Sequence, residues 1–132
     1  TRLAVAALLD GGEAEPLVPR YRSVVQSMML FDPSRQVRVR ASDKLARRVL
    51  LGQDREGRLV LAVTEGLYRL ADCAALLTES TLELESALVL DGGSEAQVSL
   101  RANGRVEHFP NDMVTEPTPP AVLAVWPGPR SP

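Results

Sequence analysis

The chain has 132 residues, 45 % hydrophobic and 24 % charged, which suits one ordinary globular domain. A net charge of −2 supplies no basic face for nucleic acid, and no stretch approaches the roughly 20 apolar residues of a membrane helix. Only 4 % of residues are aromatic, so the core has to be built from Leu, Val and Ala.

Taken in order, Leu3 to Leu9 is a short apolar run that reads as a strand, a helix or the tail of a removed signal peptide. Residues 10–20 hold glycines, prolines and glutamates and read as a loop or linker. Tyr21 to Phe31 is apolar-rich, and Asp32-Pro33-Ser34 is a turn signal. Gln36 to Arg40 alternates polar and apolar residues, the pattern of a half-buried strand. A strand follows from Leu45 to Gly52. On it Arg47 shares a face with Val49 and Leu51, and Arg48 shares the other with Leu50, so one arginine points toward an apolar layer. A buried arginine is costly unless paired, which leaves a phosphate ligand or a structural carboxylate such as Asp91 as its partner.

Asp54 to Gly57 reads as a hairpin loop, and the continuous apolar run Leu59 to Val63 as a central strand. Thr64-Glu65-Gly66 ends it. Leu70, Cys73, Ala74 and Leu77 follow the i, i+3, i+4, i+7 spacing of one helix face. Cys73, the sole cysteine, is thereby read as core packing, and no internal disulfide can form. Thr78 to Ser86 is polar, a loop or a short edge strand.

Ala87 to Leu90 needs cover on both faces and reads as a buried strand, with Asp91 at its carboxyl end. Gly92 and Gly93 permit close approach to the main chain, the setting in which sheet proteins place polar chemistry; a plain hairpin turn is the alternative. Ala96 to Arg101 alternates as a half-exposed strand, Asn103-Gly104 signals a hairpin, and Arg105 to Phe109 returns. The sole histidine, His108, reads as a surface residue near a strand end; a zinc site or a Ser-His-Asp triad would need partners that the sequence does not place near it. Pro110 to Pro120 is irregular, Ala121 to Trp126 is a last strand, and 127–132 is a mobile tail. The expected fold is α+β: one domain over 1–132, a mixed, mostly antiparallel β-sheet with one principal helix packed on it. Lys44 is the only lysine among 15 basic residues; arginine suits bidentate phosphate binding, and coding bias explains the imbalance equally well.

Leu90-Asp-Gly-Gly-Ser-Glu-Ala-Gln97 resembles the Leu-Asp-Gly-Gly-x-Ser-x-Gln signature of phosphodiester glycosidase domains. That family includes the lysosomal uncovering enzyme, which removes N-acetylglucosamine from a phosphodiester. Four further segments resemble the family in the same order: Ala46 to Gly52 its Arg-x-x-x-Gly strand, Asp54 to Val63 the turn and strand after it, Leu70 to Leu77 its helix, and Val114 to Val125 its proline-rich closing segment. The resemblance spans roughly Gln26 to Trp126, the family's carboxyl-terminal part; the usual amino-terminal part, which helps form the active cleft, is not recognisable.

The resemblance implies hydrolysis of a sugar-1-phosphodiester or related glycan linkage, with a carbohydrate or sugar-phosphate ligand. Asp91 would act as general acid or base, or help hold a divalent metal, and Arg48 would neutralise the phosphate. No cofactor is otherwise expected. Main-chain N–H groups at Gly92, Gly93 and Ser94 would approach the anion, Gln97 would orient a sugar hydroxyl, and Glu95 or Glu65 would be a second carboxyl group. Export to the periplasm, cell surface or medium, and a bacterial source, are implied by the family alone. Two departures stand out. Glu95 replaces the signature serine, with Ser94 as a shifted substitute. Met28 and Met29 stand where Gly and Pro are usual. They favour a non-catalytic glycan-binding or scaffold module of the same fold; the third alternative, from the unrecognised amino-terminal part, is a fragment whose cleft is completed by a partner chain or a missing amino-terminal segment. The corner expected for an enzyme brings Asp91, the glycine pair and Arg48 together at one solvent-facing rim.

Overall fold

The computed structural model describes residues 25–109. The expected loop at 10–20, the last strand at Ala121–Trp126 and the tail at 127–132 lie outside the described residues. Within them the elements are β1 (Met28–Phe31), β2 (Arg48–Asp54), β3 (Leu59–Val63), α1 (Leu70–Glu79), β4 (Leu84–Gly92), β5 (Val98–Ala102) and β6 (Arg105–Phe109). Four strands form one antiparallel sheet in the order β1-β4-β2-β3, and β5-β6 form a separate two-stranded ribbon. One helix on a largely antiparallel sheet is the α+β architecture that the alternating patterns imply.

The core lies between α1 and one sheet face. Cys73, Ala74 and Leu77 of the helix close over Leu30 and Phe31 of β1, Leu50 of β2, and Leu84, Ala87 and Val89 of β4. These helix residues are three of the four expected from the spacing; the fourth, Leu70, packs at the margin. Burial drives this packing at about 25 cal/mol per Å² of apolar surface. Cys73 is buried, and desolvation pushes its thiol pKa up. Gly52 is needed for the contact with β4, because a Cβ there would stand 2.6 Å from Leu84 Cδ1.

β4 is the buried strand expected for Ala87 to Leu90, but it starts three residues earlier, at Leu84. Two register shifts against β2 leave Glu85 and Leu90 without a paired residue. The bulge at Glu85 keeps Leu84 on the helix side with Ala87 and Val89.

Three expectations are corrected. Gln36 to Arg40 is not a strand: it contributes one isolated bridge, Phe31↔Val37. Asp32 closes this segment instead, accepting from Ser34 Oγ at 2.6 Å, Gln36 N at 3.0 Å and Arg38 Nε at 2.7 Å. β3 is the outermost described strand rather than a central one, and Leu61 is 49 % exposed. The hairpin sets β3 on one side of β2 while β4 takes the other, so cover on both faces goes to β4. The glycine pair does not make a hairpin, because β5 pairs with β6 and not with β4. The true hairpins are at Gly57, with φ 78°, and at Asn103-Gly104, with φ 51° and 77°.

Asp54 closes the β2–β3 turn as Asp32 closes its own, accepting from Glu56 N, Arg58 N and Arg58 Nε at 3.0, 2.8 and 2.6 Å. Antiparallel order places both aspartate turns at one end of the sheet. The carboxyl ends of β3 and β4 and the amino end of β2 make the opposite end.

Candidate functional site

That opposite end carries the signature residues. Directly opposite residues of an antiparallel pair share a face. Arg48 pairs with Gly92, and Val49 pairs with Asp91. Arg48 therefore belongs to the helix side of the sheet, and Asp91 to the other.

Arg48 is buried, 7 % exposed. Its guanidinium donates from Nη2 to Lys44 O at 3.0 Å and from Nε to Tyr68 O at 3.3 Å. Its main-chain N–H donates to Thr64 Oγ1 at 2.9 Å, and its carbonyl accepts from Thr64 N at 3.0 Å. Arg48 thus ties together β2, the end of β3 and the approach to α1. Among the described residues no ion pair joins it to Asp91 or to another carboxylate. Among the described residues the structural carboxylate expected from the sequence is not its partner; the carbonyls of Lys44 and Tyr68 accept from the guanidinium.

Gly92 serves this arrangement. A Cβ there would stand 2.7 Å from Arg48 Nη1 and 3.3 Å from Arg47 O. Its N–H donates to Asp91 Oδ1 at 2.6 Å. Gly93 takes φ 98°, a region closed to most side chains, and its N–H donates to Arg47 O at 3.0 Å. Two of the three main-chain donors expected to meet an anion therefore already have protein acceptors. The chain then turns, with Ala96 N donating to Gly93 O at 3.4 Å, and Ala96 is fully buried.

Beside this turn is a cleft of about 330 Å³ lined by Lys44, Leu45, Ala46, Arg47, Leu67, Gly93 and Ser94. One of its lining residues, Ala46, bridges to Tyr68 with bonds of 3.2 and 2.9 Å. In that ladder Leu45 and Arg47 share a face with Leu67. Continuing the alternation along β2 puts Arg47 on the face of Val49 and Asp91. Arg47 donates from Nε to Glu65 O at 3.3 Å. Ser94 and Lys44 are exposed, and Glu95 is half-buried with Oε2 3.9 Å from where a Gly93 Cβ would lie. Glu65 is exposed, and Gln97 is half-buried beyond the turn.

The structure thus brings Gly93 and Ser94 to an open cleft and sets Asp91 two residues upstream, on Arg47's side of the sheet. It does not bring Arg48 there. The four-residue wall of Lys44 to Arg47 was not singled out as a site from the sequence, although Arg47's alternation with Val49 and Leu51 was its signal. His108 lies elsewhere, exposed on β6 with Nδ1 2.9 Å from Ser99 Oγ. Among the described residues no three His, Cys, Asp or Glu side chains gather as a metal ligand set.

The family model for phosphodiester glycosidases matches residues 13–125. The chain belongs to the phosphodiester glycosidase family. The match runs through every element described above, and it begins upstream of Gln26. No curated protein and no solved structure matches the chain. For a phosphodiester glycosidase domain, the signature Asp91-Gly92-Gly93 acquires a structural reading: Gly92 admits the Arg48 head, Gly93 makes the turn, and both place Ser94 at the cleft. Family membership points to glycan-type chemistry, and among the described residues no helix is long and apolar enough to cross a membrane.

Proposed function

We propose that this phosphodiester glycosidase domain hydrolyses a sugar-1-phosphodiester, with the phosphate in the cleft between Ser94 and the Lys44–Arg47 wall. The observation that carries the reading is the open cleft on the family signature, with two cationic residues and a hydroxyl on its wall. Cationic groups neutralise a phosphate and the charge that develops as its ester bond breaks. Asp91 is the carboxyl group for proton transfer, and Glu95 is the nearest second one in sequence. In this reading the anion-binding role first given to Arg48 passes to Arg47 and Lys44, and Arg48 holds the rim. Gln97 remains the candidate for a sugar hydroxyl. Export, as for bacterial relatives, is part of the same proposal.

A second reading is favoured by the Gly92 and Gly93 donors being bonded within the protein: a non-catalytic glycan-binding module. Assay of the protein against N-acetylglucosamine-1-phosphate esters, with Asp91→Asn beside it, separates the two. Release of free sugar that falls about 100-fold or more in Asp91→Asn supports hydrolysis. Binding without release of sugar supports the module, and turnover unchanged in the variant removes Asp91 from the chemistry.

A further inference from the structure

Resting on the reading just given, we infer that the cleft takes a phosphodiester whose non-sugar ester group is apolar, an alkyl or similar chain, and that Leu45 and Leu67 form the subsite for it. The two leucines are 54 % and 61 % exposed. Both line the same cleft as Lys44, Arg47 and Ser94. They are not scattered surface residues: the antiparallel Ala46↔Tyr68 bridge sets Leu45 and Leu67 on one face, with Arg47 on that face directly opposite Leu67. Cationic and apolar side chains lining one pocket match an anionic phosphate that carries a hydrocarbon ester.

A sugar–phosphate–sugar diester would leave this wall facing hydroxyls. Such a substrate gains less from leucine contact than a hydrocarbon chain does, because its hydroxyls lose water where they are covered. The cleft supplies a cation from Lys44, whose ammonium makes no ion pair among the described residues. Ser94 adds a hydroxyl at the signature turn. The cationic and hydroxyl groups thus meet the phosphate, and the leucines meet the hydrocarbon of the phosphomonoester that leaves as the sugar is released.

The test has two arms. In the first, binding of methyl phosphate and hexyl phosphate is measured calorimetrically on the intact chain. The expected result is that hexyl phosphate binds about tenfold tighter, since burying even part of a five-methylene difference is worth at least that factor. Leu45→Ser and Leu67→Ser, at exposed positions that folding tolerates, should each reduce the preference several-fold, and Lys44→Gln should weaken both ligands alike. Equal affinities, or a hexyl preference untouched in both leucine variants, would overturn the inference. In the second arm, release of sugar is followed from the methyl and hexyl esters of N-acetylglucosamine 1-phosphate. Turnover of both esters with no hexyl preference in binding sinks the subsite and leaves the hydrolase. No turnover of either ester, with the leucine-dependent preference intact, sinks the hydrolase and leaves an apolar phosphate-ester site.

Discussion

Gly92→Ala tests whether the signature glycine is there for Arg48. The added Cβ would stand 2.7 Å from Arg48 Nη1 and 3.3 Å from Arg47 O. Unbonded heavy atoms rest at about 3.5–4.0 Å, so the guanidinium has to withdraw by roughly 0.8 Å or more. An exposed arginine would do so at little cost. This one is buried and held by bonds of 3.0 Å to Lys44 O and 3.3 Å to Tyr68 O. Overpacking of a tight site costs about 1–3 kcal/mol, and weakening a charged hydrogen bond adds to it, so a loss of about 2 kcal/mol is expected. Urea unfolding of Gly92→Ala, Arg48→Ala and the double variant measures it. With the guanidinium gone, the glycine substitution should cost well under 1 kcal/mol, giving a coupling of about 1 kcal/mol or more. The same cost in both backgrounds would refute the packing argument.

Asp32 is held at a pKa of about 2, first by the Ser34 hydroxyl and then by Gln36 N and Arg38, and Asp54 is lowered chiefly by Arg58. A carboxylate with a depressed folded pKa gives stability that is complete above its unfolded pKa near 3.9 and fades as pH falls toward the folded value. Acid titration followed by circular dichroism should therefore show stability falling between about pH 4 and pH 2, with a shallower fall in Asp32→Asn. An identical slope in that variant would contradict the assignment. Arg48→Ala should cost about 2–4 kcal/mol in urea, because two carbonyls lose their donor inside the protein, whereas Arg47→Ala at the cleft wall should cost less. Cys73 should resist thiol reagents until the chain unfolds, with labelling that rises across the urea transition; rapid labelling of native protein would show the helix face open.

The helix was readable from Leu70, Cys73, Ala74 and Leu77 because spacing alone fixes a face. The strand before Asp91 was readable because four successive apolar residues demand burial. Which strand is central was not readable, since Leu59 to Val63 is as apolar as Ala87 to Leu90, and only pairing distinguishes them. Gln36 to Arg40 misled for a related reason: its alternation is real, but Asp32 captures Arg38 and Gln36 locally before a ladder can form. At the signature, the strand end before Gly92-Gly93 was legible in sequence, but which residues pair with it was not. Arg48 and Asp91 are both near the rim in sequence and topology. The one-residue offset of their pairing, Arg48 to Gly92 and Val49 to Asp91, sends them to opposite faces. An offset of that kind depends on register, which no local pattern carries.

The location of the phosphate is most directly measured by nuclear magnetic resonance, titrating N-acetylglucosamine 1-phosphate into isotope-labelled protein. The predicted result is that the amide signals of Arg47, Leu67, Gly93 and Ser94 move together while those of the Asp32 and Asp54 turns stay fixed. Shifts centred on those turns or on the β5-β6 ribbon, or none at all, would contradict a ligand site on the signature cleft.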